Sequence, residues 1–266
     1  MKRRKFLQAA GLACAGVSSA LGDEKPETQR RQVLVTSAES RLAQAITTHI
    51  ENEFDVFLTS PEEITTVHPS VKSDLGHDQS INALVRGLDA IVFVNEAPAN
   101  ADAAGLIDYR TRNLYNLLRA ASEENVKKVI LLSSLELMTG YDEELDVKEV
   151  WKPTVTTDPR LLSYHLAEFT TREFARARKI DVAVLRLGKV ISADKVEGQP
   201  FDPMWVDERD VAQSVASAVR TDFEDTDYRI GRWLIFHIQS SNPAARFSSD
   251  RARGRLEYKP EHLADF

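Results

Sequence analysis

Two segments of this chain carry residues that could do chemistry, and each sets a useful group beside one that opposes it. Tyr164 and Glu168 are four apart in Tyr164-His165-Leu166-Ala167-Glu168, so on a helix they share one face. A tyrosine there can serve as general acid or base, which requires a phenol that gives up its proton readily. A neighbouring carboxylate works against this, because a like charge disfavours the phenolate and raises the tyrosine pKa. An amphipathic helix packed on a sheet accounts for Tyr164 equally well. Ser133 and Ser134 close the apolar run Val129-Ile130-Leu131-Leu132 and offer hydroxyls at a strand end. The other segment is Gln32-Val33-Leu34-Val35-Thr36-Ser37-Ala38-Glu39-Ser40-Arg41-Leu42-Ala43, a buried strand running into a helix. A helix entrance attracts anions, and Arg41 would help while Glu39 would repel. Thr36-x-x-Glu39 also fits a capping box, and Ser37 or Ser40 can cap, so the turn is complete without a ligand.

Other chemistries find little support. The six histidines (His49, His68, His77, His165, His237, His262) show no metal-ligand spacing, and no Gly-x-Ser-x-Gly nucleophile elbow occurs. His165 faces another side of its helix from Tyr164 and reads as exposed. Trp151, Trp205 and Trp233 suit a cleft wall or a core rim. The single cysteine, Cys14, lies in an N-terminal segment laid out as an export signal. There Lys2-Arg3-Arg4-Lys5-Phe6-Leu7 precedes a small-residue apolar run ending Ser18-x-Ala20. The paired arginines resemble the twin-arginine type, so residues 1–20 are expected to be removed and the protein to be periplasmic, with no stable membrane anchor. Losing four basic residues would deepen a net charge of −7, which leaves no electrostatic footprint for nucleic acid.

The elements that must position these residues alternate. After a linker at 21–31, Val33 to Val35, Phe54 to Leu58, Ala90 to Val94, Val129 to Ser134 and Val182 to Leu187 read as buried strands. Helical spacing joins Leu42, Ile46 and Ile50, then Leu114, Leu117, Leu118 and Ala121, with a short helix near Ile81 to Val85. Such alternation within 266 residues predicts an α/β fold with a parallel sheet covered on both faces.

Taken in order, these segments resemble the extended branch of the short-chain dehydrogenase/reductase superfamily, the NAD-dependent epimerases and dehydratases. The resemblance is carried by the strand–turn–helix at 32–43, by Asn116-Leu117-Leu118-Arg119-Ala120-Ala121 and by Asn125-Val126-Lys127-Lys128-Val129. Further along it is carried by Tyr164 to Glu168, Val206-Asp207-Glu208-Arg209-Asp210-Val211-Ala212 and Leu256-Glu257-Tyr258-Lys259-Pro260. It implies a Rossmann-like doubly wound domain over 32–266, with a small C-terminal cap from about 141–160 and 189–266. It also implies NAD or NADP as cofactor, a sugar-type ligand, and a homodimer through a helix pair that includes the Tyr164 helix. In the family's terms Ser37, Ser40 and Ala43 stand where the phosphate-loop glycines belong, with Arg41 beside them, and Glu168 stands for the lysine. Leu135 takes the place of the catalytic hydroxyl, with Ser134 as a substitute, and Lys189 replaces an asparagine and is within reach of the pocket. Asp74-Leu75 resembles the pair that meets the adenine, while Thr59 and Ser60 take the acidic position that selects NAD. The residues therefore point to an exported, catalytically degenerate relative that acts by binding. The rival is an active sugar or nucleotide-sugar epimerase or dehydrogenase that uses Tyr164 and Ser134.

Overall fold

The computed structural model describes residues 30–262 apart from 99, 155, 193, 194, 197, 224–231 and 243. The expected signal and all but the end of the linker lie outside the described residues. The chain begins with β1 (Gln32–Val35), α1 (Arg41–Ile50), β2 (Asp55–Ser60), β3 (Ser70–Lys72), α2 (Ser80–Val85) and β4 (Ala90–Phe93). It continues through α3 (Ala103–Asp108), a π-helical turn (Tyr109–Asn113), α4 (Leu114–Glu123), β5 (Lys128–Ser134) and a 3-10 turn (Leu135–Met138). The long α5 (Pro159–Arg176) leads to β6 (Asp181–Leu187), β7 (Lys189–Ile191), β8 (Trp205–Asp207), α6 (Glu208–Arg220), β9 (Trp233–Ile238) and α7 (Asp250–Arg255).

Seven strands form one parallel sheet in the order β3-β2-β1-β4-β5-β6-β9. The chain lays strands outward from β1 in one direction, then returns to build the other half from β4, which makes the C-terminal ends of β1 and β4 a topological switch point. Both faces are covered, and β1 shows why its residues are continuously apolar. Val33 and Val35 pack on the side of α1 and α6, whereas Leu34 packs on the side of α2, α4 and α5. The expected α1 and α4 faces are all buried, Leu42, Ile46 and Ile50 in the first and Leu114, Leu117, Leu118 and Ala121 in the second. Among the described residues no helix is long and apolar enough to cross a membrane.

The stretch expected as a cap divides differently. β9 pairs with β6 from Val182↔Trp233 to Leu187↔Ile238, and α6 packs on α1, so both belong to the main layers. The reason is the apolar run Trp233-Leu234-Ile235-Phe236-His237-Ile238, which finds its burial only in the sheet. Outside the main layers remain the β7–β8 ribbon and a small third core in which Leu135, Leu137 and Met138 meet Val147 and Phe247. Gly188 opens that ribbon because a Cβ there would lie 2.1 Å from the Met204 carbonyl oxygen.

Candidate cofactor and catalytic site

The turn after β1 takes a left-handed step at Ser37 and is filled with side chains. Ser37 has φ 51°, a left-handed conformation that glycine adopts more easily. Its hydroxyl donates to the Glu96 carbonyl at 2.8 Å and stands 2.6 Å from the Tyr109 hydroxyl, which is therefore the donor of that second bond. Tyr109 is enclosed beside Phe93, and burial pushes its pKa up to about 12. Ser40 caps α1 by accepting from the Ala43 amide at 3.2 Å. The expected capping box at Thr36 is not formed, because the Thr36 hydroxyl instead accepts from the Val94 amide and ties β1 to β4. Ala43 is wholly buried. Arg41 is held by Glu208 at 2.9 Å, while Glu39 has one buried carboxylate oxygen with no hydrogen-bond partner.

On the adenine side, the exposed Asp74 closes a turn by accepting from the Gly76 amide at 2.9 Å. Leu75 is buried with φ 55°, and Asn113 and Asn116 donate to the carbonyls of Asp74 and Leu75. Thr59 and Ser60 are buried and internally bonded, Thr59 to the Val71 carbonyl and Ser60 to the Glu62 amide.

On α5 the expected pair separates. Tyr164 packs over the third core, and the Arg110 guanidinium lies 3.8 Å from its ring centroid. Arg110 comes from the π-helical turn, whose extra residue brings both Tyr109 and Arg110 inward. It donates to the Asn95 carbonyl at 3.2 Å and to the Ser163 hydroxyl at 3.1 Å. The Tyr164 pKa is raised, as the sequence suggests, but the cause is burial, opposed by Arg110. Glu168 takes no part in it. That carboxylate is buried in a two-pronged pair with Arg186, at 2.8 and 2.7 Å, and accepts from the Ser133 hydroxyl at 2.7 Å. A neighbouring guanidinium neutralises Glu168, which removes the repulsion on the tyrosine.

The remaining expected groups are also engaged. Leu135 is fully buried, so no hydroxyl occupies the third position of the Ser133-Ser134-Leu135 run. Ser134 accepts from the Glu136 amide and donates to the Glu136 carboxylate, both at 3.2 Å. Glu136 is in turn paired with Arg160, which lowers its pKa. Lys189 pairs with Asp202, and its charge adds to the lowering at Glu136. His165, read as exposed, is half-buried with Nδ1 enclosed. Among the described residues there is no cluster of side chains that could hold a metal. Arg110, Tyr109, Glu136, Arg160 and Arg186 are the site residues that the sequence reading misses. None of them is singled out from the sequence, and the signal that could have found one is Arg186, a charged residue inside the apolar strand Val182 to Leu187. A cavity of about 560 Å³ opens at the opposite end of the sheet, by Lys128 and Asp181, and has no part in this site.

Comparison with known proteins agrees with this geometry. Residues 21–222 match the family model described as NAD(P)H-binding. Uronate dehydrogenase from Agrobacterium tumefaciens superposes with a TM-score of 0.71 at 19% identity, over 87% of this chain and 84% of that one. Glucuronic acid dehydrogenase from Chromohalobacter salexigens gives 0.72 at 18%, over 89% and 86%. UDP-N-acetylglucosamine 4-epimerase from Bacillus cereus gives 0.68 at 16%, over 87% and 94%. No curated protein sequence matches significantly. With a glycine-like turn after β1, an intact switch point and a tyrosine-bearing α5, the chain belongs to the NAD(P)H-binding family and has the fold of the extended short-chain dehydrogenases/reductases.

Proposed function

We propose that this protein is an exported member of the family that has given up hydride transfer and acts by binding a sugar-type ligand or a protein partner. The observation that carries this reading is Glu168. At the place of the lysine stands a buried carboxylate committed to Arg186 and Ser133. It can neither lower the Tyr164 pKa nor donate to a ribose. The phosphate turn points the same way. Ser40 caps its own helix and Glu39 brings an acid to the entrance, so a pyrophosphate in the usual pose would meet a side chain and a like charge. The basic Lys2 to Lys5 segment supports export, and exposed Tyr115 on α4 and Phe169 on α5 support pairing of two copies through these helices.

One observation favours the rival reading. Arg110 places a buried cation against Tyr164, where it can stand in electrostatically for the missing lysine. The two are separated by incubating the protein with NAD⁺ or NADP⁺ and free uronates or nucleotide sugars, while following nicotinamide absorbance. The expected result is no turnover. Turnover that Tyr164→Phe abolishes would establish the active reading instead. Fractionation of cells carrying the full chain tests export, with Arg3→Lys/Arg4→Lys expected to retain the protein inside. Sizing chromatography with Phe169→Glu tests the dimer.

A further inference from the structure

We infer that the protein has a second small-molecule site, on the outer side of α5, that takes an aromatic hydroxycarboxylate. A cavity of about 370 Å³ lies between α5, the first half of β9 and the loop at 149–153. That volume falls within the range of about 300–1,000 Å³ typical of ligand pockets. Neither Tyr164, Ser134 nor any residue of the phosphate turn lines it, so the cavity is separate from the cofactor and catalytic site. The Glu168–Arg186 pair forms part of its wall.

Four side-chain atoms around this cavity are buried with no hydrogen-bond partner in the protein: Glu149 Oε1, His165 Nδ1, Arg172 Nε and Trp233 Nε1. A buried polar group left unsatisfied is costly, so four around one cavity point to an occupant that satisfies them. Glu149 is only 5% exposed, and burial raises its pKa. The groups define the occupant. The Arg172 and Trp233 N–H groups are donors and require acceptors, and Arg251 and Lys152 add positive charge, which together suit a carboxylate. Glu149 supplies an acceptor for a hydroxyl. Trp151, Trp233 and Phe169 provide flat apolar walls, with Arg172 already over the Phe169 ring at 5.0 Å. No Ser, Thr, Asn or Gln lines the cavity and three aromatic side chains do, which favours a planar aromatic body over a sugar.

The test uses the full chain with para-hydroxybenzoate as probe, followed by calorimetry and intrinsic tryptophan fluorescence. Benzoate, para-hydroxybenzamide and D-glucuronate are run in parallel. Saturable binding is expected, with affinity for the amide and for Arg172→Gln at least tenfold weaker. Benzoate should fall between, and Tyr164→Phe should bind as the parent does. Trp233→Phe keeps the bulk and removes only the N–H, so it distinguishes a lost contact from a lost fold, which circular dichroism checks for each variant. Absence of saturable binding at millimolar probe overturns the inference. So does undiminished binding in both Arg172→Gln and Trp233→Phe, or tighter binding of D-glucuronate than of the aromatic acid.

Discussion

The turn after β1 and the helix α5 both carry other residues where the family resemblance expects glycines and a lysine, but the replacements reach to different depths in the structure. In the turn the replacements are absorbed locally. Ser37 keeps a left-handed backbone and Ser40 caps the helix it begins. Ala43 fills the buried position where helix meets sheet. In α5 the replacement reaches across the fold. Glu168 grips Arg186 on β6 and Ser133 on β5, and Arg186 lies in register with His237 on β9. A locally absorbed change can be reversed with little effect on the fold. One wired through three strands cannot, so the residue at the lysine position of α5 is fixed by the fold more firmly than the residues of the turn.

The largest effects should come from cutting the deep network. Arg186 is wholly buried, so Glu168→Ala leaves an uncompensated buried charge and should cost about 3–5 kcal/mol in urea unfolding. Restoring the lysine by Glu168→Lys sets two cations together and should destabilise at least as much. Replacing both partners, Glu168→Met with Arg186→Met, should recover most of the loss. A cost below about 1 kcal/mol for Glu168→Ala would erase the contrast between the two regions.

A smaller effect concerns pH. Burial, with the Arg186 charge adding to it, holds His237 down to a pKa of about 3. The unfolded chain binds a proton at His237 below about pH 6.5 while the folded protein does not. The contribution of neutral His237 is therefore complete above that value and drains away as pH falls towards 3. Unfolding of the parent and His237→Phe at a series of pH values should show the parent losing ground to the variant as pH falls from about 7 to about 4. A constant difference would mean that His237 is not held neutral.

β1, β2, β4, β5 and β6 were legible because strands buried on both faces are continuous apolar runs, and α1 and α4 because their apolar spacing is helical. By contrast, β9 lies in the stretch expected as a cap, and the short, exposed β3 has no apolar run to mark it. The π-helical turn was not legible. Tyr109-Arg110-Thr111-Arg112-Asn113 precedes the apolar spacing that begins at Leu114, and one extra residue in a turn leaves no mark on a periodicity of 3.6. This hid Tyr109 and Arg110, the partners of Ser37 and Tyr164. Arg186 is a charged residue inside the apolar strand Val182 to Leu187, a sign of a required partner that the sequence reading passed over. Which of 41 acidic residues would meet Arg186 depends on how α5 lies over β6, and that is set by packing far from either residue. The wall of the α5 cavity draws on the irregular loop at 149–153, where no periodicity gives warning.

The smallest effect is also the sharpest test of the shallow region. Ser40→Gly removes a cap that glycine partly replaces, so it should cost only a few tenths of a kcal/mol, against about 1 kcal/mol for Ser40→Ala. The same change opens the space that a pyrophosphate needs, and Glu39→Gln removes the opposing charge. If the loss of phosphate grip is local, Ser40→Gly with Glu39→Gln should strengthen NAD⁺ binding about tenfold by calorimetry, equivalent to about 1.4 kcal/mol. Turnover should remain absent, because Glu168 is untouched. Should the pair of changes leave affinity where it was, the obstacle would lie beyond the turn. The strongest candidate would then be the Ser37–Tyr109 bond, which joins the turn to the π-helical segment and would make the phosphate site as deeply wired as α5. Tyr109→Phe, expected to cost about 1 kcal/mol, would decide that by restoring affinity only when combined with the other two.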